Sequence, residues 1–174
     1  MCGACQRRSP AFTRAWSVFS YRAPIKEAIG LFKYRGKLSL GNPLGHLMVT
    51  NLPPLPVVDM LMPVPLHPQR LREREFNQSA WLAHSLSRHM NIQLILGELI
   101  RNRPTVPQTL LPKKDRLANL RRAFAVVHPE RIKGKTILII DDVMTTGTTL
   151  HECAKALRRA GSGPVYGLTL ARMA

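Results

Sequence analysis

The sequence is poor in cysteine, in acidic residues and in long apolar runs. Three cysteines in 174 residues are too few for the disulfide framework of a small secreted domain. No run of about 18 apolar residues is present, so no membrane-spanning helix is predicted. The first ten residues, MCGACQRRSP, also lack the apolar core of a secretory signal. We therefore expect a cytoplasmic protein without membrane insertion.

The shortage of acids gives the chain a strongly basic balance. Ten aspartates and glutamates stand against 26 lysines and arginines, for a formal net charge of +16. This favours an anionic partner such as nucleic acid, a phosphorylated metabolite or anionic lipid, and a solvated basic surface is an equally good explanation. The basic stretches 101–103 and 116–122 contain no interleaved aromatic residues. The stacking platform typical of single-stranded DNA binders is therefore not visible.

Strand and helix patterns alternate along the chain. Strands are predicted at 16–21, 57–66, 92–101, 135–142 and 164–172, and a further extended piece begins at 124. Helices are predicted at 24–36, 38–50, 76–90, 115–124 and 148–160. This alternation predicts one α/β domain with a parallel sheet covered by helices.

The stretch ILIIDDVMTTGTTL, residues 137–150, carries the clearest functional signal. An apolar strand would deliver Asp141 and Asp142 to the carboxyl edge of the sheet, where ligands of such folds bind. TTGTT, residues 145–149, then turns the chain into a helix, and Gly147 allows a close backbone approach. Threonine hydroxyls and backbone N–H groups at a helix N-terminus can hold a phosphate. The spacing is neither that of a Walker A loop nor that of a dinucleotide-binding loop.

The two aspartates need a separate role, because carboxylates repel a phosphate. They can accept hydrogen bonds from sugar hydroxyls, and they can help to hold Mg²⁺. A phosphate cup beside two hydroxyl acceptors describes a site for ribose 5-phosphate.

ILIIDDVMTTGTT resembles the 13-residue ribose-phosphate signature of type I phosphoribosyltransferases, which bind 5-phosphoribosyl-1-diphosphate (PRPP) with Mg²⁺. PVPLHPQRLREREFNQSAWLA, RNRPTVPQTLL and DRLANLRRAFAV extend a narrower resemblance to the ComF/GntX group over residues 16–172. The resemblance implies an α/β type I phosphoribosyltransferase fold: a mostly parallel central sheet flanked by helices, with a small hood region. It assigns 16–174 to this domain and 1–15 to the remnant of a zinc-ribbon-like N-terminus.

The resemblance also implies roles for individual residues. Asp141 and Asp142 would bind the ribose 2′ and 3′ hydroxyls and, indirectly, Mg²⁺, and with Arg74 they are the expected catalytic residues. The 5′-phosphate would be held by Thr145, Thr146, Gly147, Thr148 and Thr149. The diphosphate loop would begin in PVPLHPQR and include Val64, Pro65 and Arg70. A cis bond at Pro63 or Pro65 would aim N–H groups at the diphosphate, and Arg70, Arg72 and Arg74 would follow in one short loop.

A mobile hood is expected around Thr105, Gln108, Arg116 and Asn119. Asn77 is expected either to contact the substrate or to cap the next helix.

Three positions depart from the family pattern. Glu75 stands where the family usually has a glycine, which puts the diphosphate-loop turn in question. Cys2 and Cys5 form half a zinc site, so Zn²⁺ is expected only if the missing half of the ribbon is supplied. Thr145 replaces the aspartate that serves as base in purine-salvage relatives, so purine salvage is not expected.

The predicted function is transfer of phosphoribosyl from PRPP–Mg²⁺ to an acceptor, with release of diphosphate. No acceptor pocket or general base is visible in the sequence. The alternative is a non-catalytic protein: a PRPP sensor, or a DNA-uptake adaptor that binds single-stranded DNA or competence proteins.

Overall fold

The computed structural model describes residues 9–34, 37–102, 120 and 122–173. Its strands are β1 Arg14–Ser20, β2 Met60–Pro63, β3 Gln93–Leu94, β4 Leu99–Arg101, β5 Phe124–Val126, β6 Ile137–Met144 and β7 Val165–Arg172. Its α-helices are α1 Ile25–Tyr34, α2 Gly41–Thr50, α3 Pro68–Arg74, α4 Gln78–Met90 and α5 Thr148–Arg159. Short 3₁₀ turns lie at Leu38–Leu40 and Pro129–Arg131.

Five parallel strands form the main sheet in the order β1–β7–β6–β2–β3. β6 lies in the middle and pairs with β2 on one side and with β7 on the other. All carboxyl ends of a parallel sheet meet at one edge, so β2 and β6 deliver their last residues to the same place. β4 and β5 form a separate antiparallel pair.

Helices cover both faces of the sheet. On one face Ile29 and Phe32 of α1, Leu44 and Met48 of α2 and Leu82 of α4 are buried against the sheet. On the other face α5 buries Leu150, Cys153 and Leu157. The β6 run Ile137–Ile140 is fully buried and contributes alternately to the two clusters. A continuous apolar run of this kind is expected of a strand that is buried on both sides.

The predicted α/β fold, a mostly parallel sheet flanked by helices, is confirmed, and three elements differ from their predictions. The strand predicted at 92–101 is two strands, because Gly97 adopts a φ of +81° and sends β4 away from the main sheet. The strand predicted at 57–66 is limited to Met60–Pro63. The helix predicted at 38–50 begins as a 3₁₀ turn and becomes an α-helix only at Gly41.

The short loop predicted to carry Arg70, Arg72 and Arg74 is instead the helix α3. Pro68 lies in its first turn, where a missing N–H costs nothing, and the His67 side chain accepts a hydrogen bond from the N–H of Gln69. The cis bond predicted at Pro63 or Pro65 is also wrong: among the described residues, the cis peptide bond lies between Ala23 and Pro24.

β1 begins at Arg14, two residues before the predicted domain boundary, and Ala11 and Phe12 already pack against the core. Most of the helix predicted at 115–124 lies outside the described residues, and so do Thr105, Gln108, Arg116 and Asn119. Within the described part of the chain, no helix has the length and apolar character needed to cross a membrane.

Candidate functional site

The predicted strand ends at Asp142, whereas β6 runs two residues further, so both aspartates lie inside it. The strand continues to Met144 because Asp141, Val143 and Met144 keep pairing with Thr169, Ala171 and Arg172 of β7. Successive residues of a strand point to opposite faces. The two side chains therefore leave the strand from opposite sides, but Asp141 contacts α4 and Asp142 contacts α1, two helices on the same face, and both acids act on Lys33.

Asp141 is held by the beginning of α4. Its Oδ1 accepts hydrogen bonds from the Ser79 hydroxyl at 2.9 Å and from the N–H of Asp142 at 2.9 Å. Burial, and then the negative charge of Asp142, raise the pKa of Asp141 to about 7. Lys33 and the two hydrogen-bond donors act in the opposite direction. A carboxyl group that titrates near neutrality at a strand end is typical of a functional site.

Asp142 is held by α1. Its Oδ2 lies 2.5 Å from the ammonium Nζ of Lys33, and the two side chains are only 11% and 19% exposed. Burial alone lowers the pKa of Lys33, but the charge and hydrogen bond of Asp142, together with the charge of Asp141, outweigh it and raise that pKa. The sequence did not single out Lys33, since a lysine in the last turn of an amphipathic helix is ordinary.

The turn between β6 and α5 has the geometry predicted for a phosphate cup. Gly147 has a φ of +76°, a left-handed conformation that other residues rarely adopt, and it directly precedes the first turn of α5. The hydroxyls of Thr146 and Thr148 lie 2.7 Å apart. The N–H of Thr148 donates to the Thr146 hydroxyl at 3.4 Å. The first N–H groups of a helix have no partner within the helix, so Thr148 and Thr149 are placed where they can face an anion. Phosphate binding by residues 145–149 stays a prediction.

The start of the expected diphosphate loop follows β2. The N–H of Val64 donates to the carbonyl of Ile140 at 2.8 Å, and Pro65 has no N–H to offer. Asn77 donates from its side-chain Nδ2 to the carbonyl of Val64 at 3.0 Å and accepts from the N–H of Ser79 at 3.0 Å. The capping interpretation of Asn77 is therefore confirmed. Diphosphate contacts at Val64 and Pro65 remain predictions.

The two arginines expected near the diphosphate have different surroundings. Arg74, at the end of α3, donates to Oε1 of Gln78 at 3.2 Å. Its positive charge acts on Lys33 and opposes the net rise in the pKa of that lysine. Arg70 is half-buried and pairs with Glu73 on the same helix at 2.9 Å. Arg74 therefore reaches the acid pair through Lys33, the lysine on which its charge acts. Arg70 lies near Arg101, and the charge of Asp141 acts on that partly buried arginine.

Gln78 is a further polar residue at this place. It is 2% exposed, and its Nε2 has no hydrogen-bond partner among the described residues. The cluster at the carboxyl edge of β6 therefore contains Lys33, Arg74, Gln78, Ser79, Asp141 and Asp142.

The backbone conformation at Glu75 is one that glycine adopts easily. It ends α3 with a φ of +65°, and its N–H donates to the carbonyl of Leu71 at 2.7 Å. This left-handed conformation costs a residue with a Cβ about 1–2 kcal/mol. The chain nevertheless makes the turn with glutamate, so the departure from the family pattern does not abolish it.

The acid pair is compatible with Mg²⁺ that arrives with a substrate. Among the described residues, no three histidine, cysteine, aspartate or glutamate side chains form a group that could hold a metal. Mg²⁺ commonly binds through one or two carboxylates together with substrate phosphates. Asp141 and Asp142 supply the first part of such a set. Cys2 and Cys5 lie outside the described residues, and Zn²⁺ binding there stays a prediction.

Comparison with known proteins identifies the domain family. The model of the phosphoribosyl transferase domain matches residues 78–166, which run from α4 into β7. The chain belongs to this domain family.

Relatives define the group more narrowly. The chain is 32% identical over 177 residues to DNA utilization protein YhgH from Escherichia coli (strain K12), covering 98% of this chain and 77% of that protein. It is 30% identical over 178 residues to Competence protein F from Haemophilus influenzae, covering 98% of this chain and 78% of that protein. Within the phosphoribosyl transferase domain family, it belongs to the ComF family.

Among solved structures, the chain is similar to a glutamine PRPP amidotransferase from B. subtilis complexed with ADP and GMP. The identity is 22%, the TM-score is 0.49, and the match covers 74% of this chain and 25% of that one.

Proposed function

We propose that this protein binds PRPP–Mg²⁺ at residues 141–149 and transfers its phosphoribosyl group to an acceptor, releasing diphosphate. The observation that carries the proposal is the position of the acid pair. Asp141 and Asp142 lie at the carboxyl edge of the central strand, directly before the Gly147 turn and the first turn of α5. A ribose 5-phosphate that extends from the acid pair to this turn would have its hydroxyls at the acids and its phosphate at the turn.

Each group has a definite task in this proposal. The carboxylates of Asp141 and Asp142 accept hydrogen bonds from the vicinal ribose hydroxyls, and Ser79 keeps Asp141 in place. The 5′-phosphate is held by N–H groups and hydroxyls of residues 145–149. Arg74 adds positive charge where the departing diphosphate gains negative charge. Mg²⁺, bound by the diphosphate, offsets part of that charge.

Calorimetric titration with PRPP and Mg²⁺ tests this site. The Asp141→Asn/Asp142→Asn variant should bind at least about 100-fold more weakly, because two charge-assisted contacts of about 1.5–3 kcal/mol each are lost. Asp59→Asn is the matched control, since Asp59 is a half-exposed acid at the opposite end of β2. Unchanged binding in the double variant would refute the site. Release of diphosphate in a screen of nucleobases and amines would then separate an enzyme from a PRPP sensor.

A DNA-uptake adaptor is the second candidate. Two relatives are named for competence or for DNA utilization. Arg122, Lys155 and Arg159 line an open groove of about 280 Å³ between β5 and α5. Phosphodiester backbones bind such surfaces through counterion release.

Fluorescence anisotropy with single-stranded DNA at several salt concentrations tests the adaptor. The slope of log affinity against log salt should become shallower by roughly 1.4 when Lys155 and Arg159 are replaced by methionine, at about 0.7 for each lost phosphate contact. Salt-independent binding, or a slope that does not change, would contradict a DNA contact in this groove.

A further inference from the structure

Lys33 stands out among the residues of the candidate site that no motif indicated. It lies in the last turn of α1, whose Ile29 and Phe32 are buried in the core. The helix is therefore anchored to the core, and the ammonium of Lys33 reaches the carboxylate of Asp142 at 2.5 Å. The contact joins an N-terminal helix to the strand that carries the acid pair.

The contact has a clear electrostatic reason. Two neighbouring carboxylates that are shielded from water repel each other, and a nearby cation reduces that repulsion. A lysine suits a contact that has to be reversible, because its charge is compact and its stem is flexible. The same oxygen of Asp142 cannot serve the ammonium and a substrate-borne cation equally well.

We propose that Lys33 is the resident cation of the acid pair and gives up its contact with Asp142 when PRPP–Mg²⁺ binds. The inference rests on the proposed function, and it makes Lys33 a specificity-determining residue. A ligand that brings its own divalent cation can replace the charge of Lys33. A sugar phosphate without a bound cation, such as ribose 5-phosphate, leaves Lys33 in place and competes poorly for Asp142.

Binding of Mn²⁺ alone, measured by electron paramagnetic resonance without PRPP, tests the competition. Lys33→Met should bind Mn²⁺ on the order of tenfold more tightly than the unaltered protein, because a competing charge is removed. Lys135→Met is the matched control. It removes the same charge from an exposed pair with Asp59, at the opposite edge of the sheet, and should leave Mn²⁺ affinity unchanged.

Lys33→Gln keeps a hydrogen-bond donor for Asp142 without the charge, so it carries the test if the methionine variant does not fold. Circular dichroism and urea unfolding identify which variants are folded. A folded Lys33→Met or Lys33→Gln protein that binds Mn²⁺ no more tightly than the unaltered protein would overturn the inference.

A second arm uses ligands. The unaltered protein should bind PRPP–Mg²⁺ more tightly than ribose 5-phosphate. Lys33→Gln should reduce the ratio of these two affinities about tenfold. If PRPP–Mg²⁺ binds but the preference is the same in both proteins, the role of Lys33 is wrong and the proposed function stands. If the unaltered protein does not bind PRPP–Mg²⁺ at all, the proposed function fails, whatever the Mn²⁺ result.

Discussion

Two buried carboxylates in this molecule, Glu98 and Asp141, have surroundings that shift their pKa values in opposite directions. Glu98 is 4% exposed and accepts hydrogen bonds from Arg131 at 2.6 Å, from the His128 ring at 3.0 Å and from the His128 N–H at 3.1 Å. Burial alone raises the pKa of Glu98, but these donors outweigh it and hold the pKa below its ordinary value. Asp141 accepts from one hydroxyl and one N–H, and Lys33 and Arg101 act on it only through their charges. Burial and the second carboxylate outweigh these groups and raise its pKa to about 7.

The difference separates a structural acid, Glu98, from the acid of the candidate site, Asp141. Glu98 connects β4 to the turn after β5, and its donors come from the protein itself. Asp141 is left with fewer donors than a buried carboxylate needs, which costs stability and keeps acceptor capacity for a ligand. The same kind of side chain therefore stabilises a strand pair in one place and, in the proposed function, binds a ligand in the other.

The largest expected effect comes from removing the structural acid. Glu98→Ala should lower the free energy of unfolding by about 3 kcal/mol at pH 7, because three hydrogen bonds to a charged group are lost, at about 1 kcal/mol each. The loss should shrink as the pH falls below 4.5, the ordinary value, since protonation of Glu98 already weakens these contacts in the unaltered protein. Urea unfolding at several pH values measures this. Asp59→Ala removes a half-exposed acid that pairs with Lys135 and accepts from the N–H of Thr136 at 2.7 Å, and it should cost only about 1 kcal/mol. Equal losses in the two variants would break the comparison.

Replacing Asp141 should change the free energy of unfolding in the opposite direction and by a smaller amount. The folded pKa of Asp141 is about 7 against an ordinary 3.8, so its ionisation destabilises the fold progressively between these values. Asp141→Asn should therefore be more stable than the unaltered protein by on the order of 2 kcal/mol at pH 8. At pH 4 the difference should be close to zero. Urea unfolding at both pH values decides the matter, and a destabilised variant at pH 8 would show that Asp141 is a structural acid like Glu98.

A third acid extends the comparison to the backbone. Glu75 is strained by its positive φ rather than by burial, so Glu75→Gly should stabilise the protein by about 1 kcal/mol. Glu75→Ala removes the same charge but keeps the Cβ, and it should give no such gain. Thermal unfolding of both variants measures the difference. Equal melting temperatures in the two variants would mean that charge, and not conformation, is the feature that matters at this position.

The sequence predicted those parts of the site that are local in the chain. Asp141, Asp142, Gly147 and the helix after them are consecutive, so one motif was enough to place them at a sheet edge. The partners of the acids were not predictable in this way. Ser79 lies 62 residues from Asp141, and Lys33 comes from a different helix; only the folded chain brings them together.

Two of the differences in the fold have separate reasons. The apolar residues on either side of Gly97 fit one strand or two, and periodicity cannot tell which sheet a strand joins. Helix α3 was predictable, because Pro68 is a good first-turn residue, but the three arginines were interpreted as a phosphate-binding loop.

Helices α2 and α4 pack closely against each other at two glycines of α2, Gly41 and Gly45. A methyl group on Gly41 would come within 2.5 Å of the Trp81 indole, and one on Gly45 within 2.2 Å of the Ser85 hydroxyl. Any larger residue at either glycine would force α4 outward, and Ser79 in its first turn would move with it. The distance between the Ser79 hydroxyl and Asp141 thus depends on the absence of side chains at Gly41 and Gly45, so a substitution on a neighbouring helix could alter the candidate site.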